Sequence, residues 1–396
     1  MTATRLSLQL ADIAQSKSDS FVDGPFGSNL KTSDFVSTGI PLVRVQHIGV
    51  GVFKDGFNQF VTSSKFHELS RHSARSGDIV FAKMGDPIGR SALIPPGVDQ
   101  ALIVADCVRL RVDESKANKQ YVTWILNSEP MLDQIARRGK GATRQRVNLS
   151  DFKTVQIPLP PLSDQERIVR ILDEVEALRR LRAQADERCS KLVSALFDEM
   201  FGDPEDGWRN DKFGNVGSLE RGRSQHRPRD ESALFGGSYP FIQTGDVANS
   251  AGRITTFTQT YSERGLAQSR LWPPGTLCIT IAANIARTGI LGFDACFPDS
   301  VVGFIPGDHI AVEYVQAWLQ TIQKALEYEA PQAAQKNINL KTLRELDLIV
   351  PSLGLQRTFA ARVAEIRQLE AAQAASRQRI DDLFQSLLHR AFQGEL

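Results

Sequence analysis

The chain is written twice. Asn148-Leu149-Ser150-Asp151-Phe152, running through Pro160-Pro161-Leu162 to Gln165, corresponds at an offset of 191 to Asn339-Leu340-Lys341-Thr342-Leu343, running through Pro351-Ser352-Leu353 to Gln356. The same offset pairs Leu196 with Leu387 and Phe201 with Phe392, so 54 residues align without a gap. Upstream, Tyr121-Val122 matches Tyr314-Val315 at 193, Ile88-x-Arg90-Ser91 matches Ile285-x-Arg287-Thr288 at 197, and Ile40-Pro41-Leu42 resembles Tyr239-Pro240-Phe241 at 199. A drifting offset with the order preserved means one framework carrying loops of different length.

Each copy has two parts. The first, residues 1–161 and 204–351, is β-leaning with Gly/Pro punctuation such as Pro95-Pro96-Gly97 and Pro273-Pro274-Gly275. Short apolar runs at Asp78–Ala82, Leu277–Ile281 and Val301–Ile305 read as strands, and helical patches at Tyr121–Asn127 and Tyr314–Tyr328 interrupt them. An α+β head follows. The second part, residues 162–203 and 352–396, reads as a long helix.

The first helix is predicted to open on a capping box, Ser163-Asp164-Gln165-Glu166, and to stop at Gly202 and Pro204. Its heptad a positions would be Ile168, Val175, Arg182, Cys189 and Leu196, and its d positions Ile171, Leu178, Ala185, Leu192 and Glu199. The second places Phe359, Ile366, Leu369, Ile380, Leu383 and Leu387 on the equivalent stripe, weakened by Arg362, Gln373, Ser376 and Arg390. A helix of ~37 residues spans roughly 55 Å, more than a head is wide, so each helix is expected to pair with the other. Two equal units in one chain then close with a pseudo-two-fold axis. The helices form an antiparallel coiled coil, with a head at either end of a spacer.

The formal charge of the whole chain is +1, which excludes a uniformly basic polyanion binder. Split by segment it is +5 for 1–161, −3 for 162–203, −2 for 204–351 and +1 for 352–396. Local clusters stand out. Arg137, Arg138, Lys140, Thr143, Arg144, Gln145 and Arg146 lie in one Gly-containing loop; Arg221, Arg223, Arg227 and Arg229 lie in another. Arginine beside glycine suits a loop that approaches phosphates or base edges. The second cluster does not occupy the place of the first in its repeat; that place holds Ala333-Ala334-Gln335-Lys336-Asn337, so the two heads would read different things.

Other classes fall away. No apolar run approaches the ~20 residues of a membrane helix, and Met1 to Leu10 lacks the pattern of a signal peptide. Cys107, Cys189, Cys278 and Cys296 are scattered and read as reduced, mostly buried thiols of a cytoplasmic protein. The six histidines show no metal spacing; His67 and His72 are expected to face solvent. A Walker A loop, a Gly-x-Ser-x-Gly elbow and the Asn/Asp-Pro-Pro-Tyr/Phe signature of amino-methyltransferases are missing. The Glu-x-Lys at Glu114–Lys116 has no convincing Pro-Asp before it, and Asp86 between Gly85 and Pro87 reads as a turn residue. A protein-binding scaffold and a stand-alone nuclease are the other readings these residues leave open.

Several stretches resemble the specificity subunits of type I DNA restriction–modification systems over essentially the whole chain. They are Gly24-Pro25-Phe26-Gly27-Ser28-x-Leu30-Lys31, Pro160–Gln165, Arg221–Arg229, Tyr239–Asp246, Ile279–Ile285, Phe297–Gly303 and the closing Leu387–Leu396. The resemblance implies two target recognition domains, each reading one half of a bipartite site in double-stranded DNA. It also implies a spacer set by the paired helices and no catalysis in this chain. Two modification (methyltransferase) subunits and the restriction subunits would be the partners, with no membrane. S-adenosylmethionine, ATP and Mg would bind to those partners. An adenine in each half-site would be presented for flipping into a partner's pocket. Lys31 and Arg287 join the two arginine loops as candidate DNA-binding residues. The acidic first helix, with Glu174, Glu176 and Glu187, would offer a face to the modification subunits.

Overall fold

The computed structural model describes residues 7–54, 56–141, 145–203, 207–226, 228–282, 285–329, 338–393 and 395–396. The chain divides into two compact units. Met1–Arg182 with Ser376–Leu396 make the first, and Ala183–Ala375 the second. Each unit therefore holds one head and one half of each long helix.

The first head is built on an antiparallel sheet in the order Phe21–Asp23, Cys107–Leu110, Ile79–Ala82, Ser91–Leu93. Ile79-Val80-Phe81-Ala82 is buried at every position, as a strand covered on both faces requires. A five-stranded sheet flanks it, in the order Phe35–Val36, Phe60–Val61, Ile40–Val43, Ala101–Ile103, Ser73–Ala74. A ribbon of Ser7–Gln9 with Gln156–Pro158 closes the head near its junction with the helix.

The second head repeats this plan. Its sheet runs Gly217–Arg221, Val301–Pro306, Leu277–Thr280, Thr288–Leu291, Arg253–Ile254, and Leu277-Cys278-Ile279-Thr280 is again buried throughout. Phe235–Phe241 pairs with Gln259–Tyr261 as the flanking ribbon, and Arg209–Lys212 with Asp347–Val350 closes the head. The predicted patches are helices Lys119–Leu126 and Val312–Glu329.

The repeat extends to the buried polar chemistry. Gln165 is fully buried; its Oε1 accepts from the Asn118 amide (2.8 Å) and its Nε2 donates to the Pro160 carbonyl (2.7 Å). Gln356, 191 positions on and equally buried, accepts from the Ala311 amide (2.8 Å) and donates to the Pro351 carbonyl (2.8 Å). Tyr121 donates to the Pro158 carbonyl, and Tyr314 to that of Ile349. Each glutamine satisfies one donor and one acceptor where a helix leaves its head, groups that burial would otherwise leave unpaired.

The helices correct three expectations. The first begins at Leu162, not after Ser163, because the Pro161 carbonyl already accepts from the amides of Asp164 and Gln165. It also comes in two pieces, Leu162–Cys189 and Leu192–Phe201, broken at Ser190-Lys191. One side of its seam, the d side, is shifted as well. Ile168, Leu172, Val175, Cys189, Phe197 and Phe201 are buried, whereas the expected d residues Leu178 and Leu192 are 51% and 40% exposed. The expected a residues Ile168, Val175 and Cys189 stand, and the other edge of the stripe moves from Ile171 to Leu172 because the first turns pack on the head as well as on the other helix. Phe359 and Phe384 are buried on the second helix, while Leu369 and Leu383 are half exposed.

Within each unit the helix halves pack together. In the first, Arg179 bonds Asp381 (2.7 Å) and lies over the Phe384 ring (4.6 Å). In the second, Phe197 and Phe201 meet Phe359, while Ser190 and Val193 share a cleft with Val363, Arg367 and Glu370. Falling numbers on one helix against rising numbers on the other make the pairing antiparallel. All four cysteines are buried and unpaired, and burial lifts the Cys107 thiol to about 12. His72 is half-buried, its Nδ1 against the Asp23 carbonyl (2.6 Å), and does not simply face solvent. No helix among the described residues is long and apolar enough to cross a membrane.

Candidate nucleic-acid interface

Strand direction gathers the candidate residues of the first head at one end of its central sheet. Phe21–Asp23 and Ile79–Ala82 both run antiparallel to Cys107–Leu110, with Asp23 opposite Val108 and Ala82 opposite Cys107. The loop 24–31, the loop 83–90 and the turn Val104–Asp106 therefore leave from the same edge. Arg146 and Val147 join them: the Val147 amide donates to the Lys83 carbonyl (3.0 Å) and Arg146 pairs with Asp106. Lys83 in turn pairs with Asp23 (3.2 Å).

The second head gathers the same set. Arg221 lies opposite Val302 and Thr280 opposite Val301, and the Ile338 amide donates to the Ile281 carbonyl (3.0 Å) as Val147 does to Lys83. Gly24 and Gly222 hold equivalent places, each donating across the sheet end, to Cys107 (3.0 Å) and Val301 (2.9 Å). A Cβ on either would strike a backbone oxygen, that of Val104 at 2.0 Å or Phe297 at 2.2 Å, so only glycine fits. The segment that begins at Arg221 thus occupies the place of the loop that begins at Gly24, at an offset of 198 that lies within the 197–199 of the neighbouring matches.

The proposed cations have different surroundings. Arg137 is exposed after helix Glu129–Ala136, and Arg138 folds back to the Gln134 carbonyl (2.6 Å). Lys140 and Arg146 bridge through their backbones (3.0 and 2.9 Å), closing the base of the loop; Gln145 is exposed. Thr143, Arg144 and Arg227, like Ala333–Asn337, lie outside the described residues. Arg221 and Arg223 are exposed, and Arg229 pairs with Asp299 (2.8 Å). Lys31 is exposed on a short turn capped by Asp34. Arg287 is exposed, but its repeat partner Arg90 is a clamp: Nε donates to the Ile48 carbonyl (2.7 Å), and its terminal nitrogens donate to those of Pro87 (3.1 Å) and Val45 (3.2 Å).

One pair of residues at each sheet end is not singled out by any sequence pattern. Arg44 follows strand Ile40–Val43, whose Val43 carbonyl accepts from Val104 (3.1 Å) at the start of the turn that meets Arg146. Arg44 NH1 donates to Gln59 Oε1 (2.8 Å), and the Arg44 amide donates to His47 Nδ1 (3.0 Å). His47 is buried against Phe53 and Phe57, and burial, followed by the Arg44 charge, lowers its pKa. At an offset of 199, Gln243 follows Phe241-Ile242, where Ile242 donates to the Cys296 carbonyl (2.8 Å). Gln243 Nε2 donates to Gln259 Oε1 (2.6 Å) and its amide to Asp246 Oδ2 (2.8 Å). Gln243 and Gln259 share a cleft with Ser224, Arg229 and Ser300 of the sheet-end loops. The nearest signal is the match of Ile40-Pro41-Leu42 with Tyr239-Pro240-Phe241, which ends two residues short of the pair.

Among the described residues no group of three or more His, Cys, Asp or Glu side chains could hold a metal. What each sheet end offers is hydrogen-bond donors and acceptors on loops with pinned bases.

Comparison with known proteins agrees with this arrangement. The family model for the type I restriction modification DNA specificity domain matches residues 54–187 and again 205–375. The chain is 21% identical over 383 residues to the putative type I restriction enzyme MjaX specificity subunit of Methanocaldococcus jannaschii, covering 90% of this chain and 87% of that protein. It is 21% identical over 398 residues to the EcoKI specificity subunit of Escherichia coli, covering 90% and 82%. Its fold is similar to a chain solved in work on assembly and conformational transition of the type I R-M system (TM-score 0.65, 21% identity, 99% of this chain and 98% of that one). It is also similar to the type I restriction–modification S subunit from M. genitalium (TM-score 0.55, 15% identity, 99% and 96%). A head-plus-helix unit repeated in tandem, matched twice by one family model, places this chain among the type I restriction–modification DNA specificity subunits, with two recognition domains.

Proposed function

We propose that the chain reads a bipartite site in double-stranded DNA, one half-site per head, with the spacer between them set by the two long helices. The observation that carries this reading is the duplicated sheet end: the same backbone frame appears twice with different outward side chains, as two different half-sites demand. Methyl transfer and cleavage belong in this reading to two modification subunits and to restriction subunits. S-adenosylmethionine, ATP and Mg sit on those partners, and the complex works on DNA in the cytoplasm. An adenine in each half-site is turned out of the duplex for the partner's chemistry.

Leu178, Leu181 and Leu383 on the helices of the first unit, and Leu192 and Leu369 on those of the second, are exposed and are available to a protein partner. Of the acidic residues named for that role, Glu176 is held by Arg179 (2.9 Å) and Glu187 by Lys191 (2.9 Å), while Glu174 is exposed. Undiminished co-purification with the modification subunit after charge reversal at all three would remove them from the docking face.

The test of the spacer is an insertion of four residues near Arg182, where the first unit gives way to the second. The preferred spacer should change while both half-site sequences stay as they were; an unaltered spacer refutes the role given to the helices. The test of the loops is salt. Each phosphate contact contributes about 0.9 to the slope of log affinity against log salt. Alanine at Arg137, Lys140 and Arg146 together should lower that slope by about that amount for each phosphate left without its cation, uniformly over sequences.

A further inference from the structure

We infer that Arg44 and Gln243 read base edges at corresponding positions of the two half-sites, the Arg44 guanidinium selecting guanine where the Gln243 carboxamide selects adenine. The inference rests on the reading of the two heads as DNA-recognition domains and gives that reading its first pair of specificity residues.

Three observations carry it. The first is equivalence: both residues follow the same strand, each beside a glutamine where the neighbouring strand begins, Gln59 just before Phe60–Val61 or Gln259 at the head of Gln259–Tyr261, at a side-chain distance of 2.8 or 2.6 Å. The second is position. Arg44 stands next to the Val104–Asp106 turn that Arg146 holds, and Gln243 lines a cleft with Ser224, Arg229 and Ser300. Both therefore stand among the loops that bear the candidate cations. The third is preorganisation. The amide of each residue is tied to the side chain three positions on, His47 or Asp246, which fixes the Cα from which it projects.

The chemistry then differs in one way only. Gln59 takes one guanidinium N–H of Arg44, and the remaining N–H groups of the planar fork are donors. Guanine presents two acceptors, O6 and N7, in the major groove. Gln259 takes one of the two Nε2 hydrogens of Gln243. The other hydrogen and Oε1 supply one donor and one acceptor, the complement of adenine N7 and N6. Two repeats of one frame thus hold the two side chains best suited to telling the purines apart.

The experiment uses the full chain copurified with its modification subunit and a DNA pool with randomised half-sites. Bound sequences are read for the wild type, Arg44→Gln and Gln243→Arg. Arg44→Gln should replace a guanine by an adenine preference at one position of one half-site, with discrimination shifting by about 10–100-fold. Gln243→Arg should make the reverse change in the other half-site only. The unaltered half-site in each variant reports that the protein is folded. Arg44→Met, which keeps most of the length without any donor, should bind but lose guanine discrimination. Gln59→Ala and Gln259→Ala should blur the same positions without creating a new preference. An unchanged selected site, whether affinity falls uniformly or not at all, would overturn the assignment, as would guanine discrimination retained by Arg44→Met. A wild-type chain that selects no sequence at all refutes the DNA-recognition reading itself, which separates the two failures.

Discussion

The two heads agree where backbone is buried and differ where side chains face outward. Gln165 and Gln356 make the same two bonds, Tyr121 and Tyr314 close the same ribbon, and Gly24 and Gly222 pass equally close to a neighbouring carbonyl. Against this, Phe26 is 79% exposed where the second head has the buried Ser224, Arg90 is a clamp where Arg287 is exposed, and Arg44 stands where Gln243 does. Buried donors and acceptors admit few replacements, because an unpaired one costs about 1–3 kcal/mol. Outward positions carry no such cost, so the same frame is free to present a different surface in each copy.

The comparison breaks first, if it breaks, at the paired glutamines. Gln165→Ala should destabilise the first unit by about 2–5 kcal/mol, and Gln356→Ala the second by a similar amount, since each leaves one buried amide and one carbonyl unpaired. Urea unfolding followed by hydrogen exchange in each unit measures both; a large effect in one unit alone would end the equivalence. Arg90→Ala should cost the first unit about 2–3 kcal/mol through its orphaned carbonyls. Arg287→Ala should stay within about 0.5 kcal/mol in the second and act only on DNA affinity.

A smaller contrast lies one residue earlier. Gly89 and Ala286, its repeat partner, both adopt positive φ (83° and 55°). Gly89→Ala should destabilise by about 2 kcal/mol, because the new Cβ would lie 2.4 Å from Ile135 Cγ2. Ala286→Gly should change stability by less than about 1 kcal/mol, relief of left-handed strain offsetting the removal of a buried methyl and a freer unfolded chain. Thermal melts of the two variants decide this.

The smallest effect expected is on pH. The Arg44 amide is capped by His47 and the Gln243 amide by Asp246. With its pKa lowered in the folded state, His47 contributes stability that is present above its ordinary value of 6.5 and is lost as pH falls through the lower folded value. His47→Asn keeps an acceptor without a titration, so the first unit of that variant should lose less stability between neutral and mildly acidic pH than the wild type does. Equal pH dependence in both would show that His47 is not the titrating cap.

Much of this molecule was readable from residue order. The offset of 191, the Ile79–Ala82 and Leu277–Thr280 strands and the two long helices all follow from local periodicity and internal similarity. The a side of the first helix seam followed too, but its d side did not, because a heptad count assumes one partner and the first turns have two. Arg90 aligned with the candidate cation Arg287, and only contact with four carbonyls distinguishes a clamp from a surface charge.

By itself the sequence determined that there are two copies of one head-and-helix unit, which residues fill their cores, and that the arginine loops of the copies are not equivalent. Hydrophobic period and repeat are properties of neighbours along the chain. Tertiary structure decided which loops share an edge. It tied Val147 to Lys83 and Ile338 to Ile281, and it set Arg44 beside Gln59 and Gln243 beside Gln259. Those juxtapositions depend on strand direction and register, which bring residues 15 to more than 100 positions apart onto one sheet end, and no local pattern encodes which of them will meet.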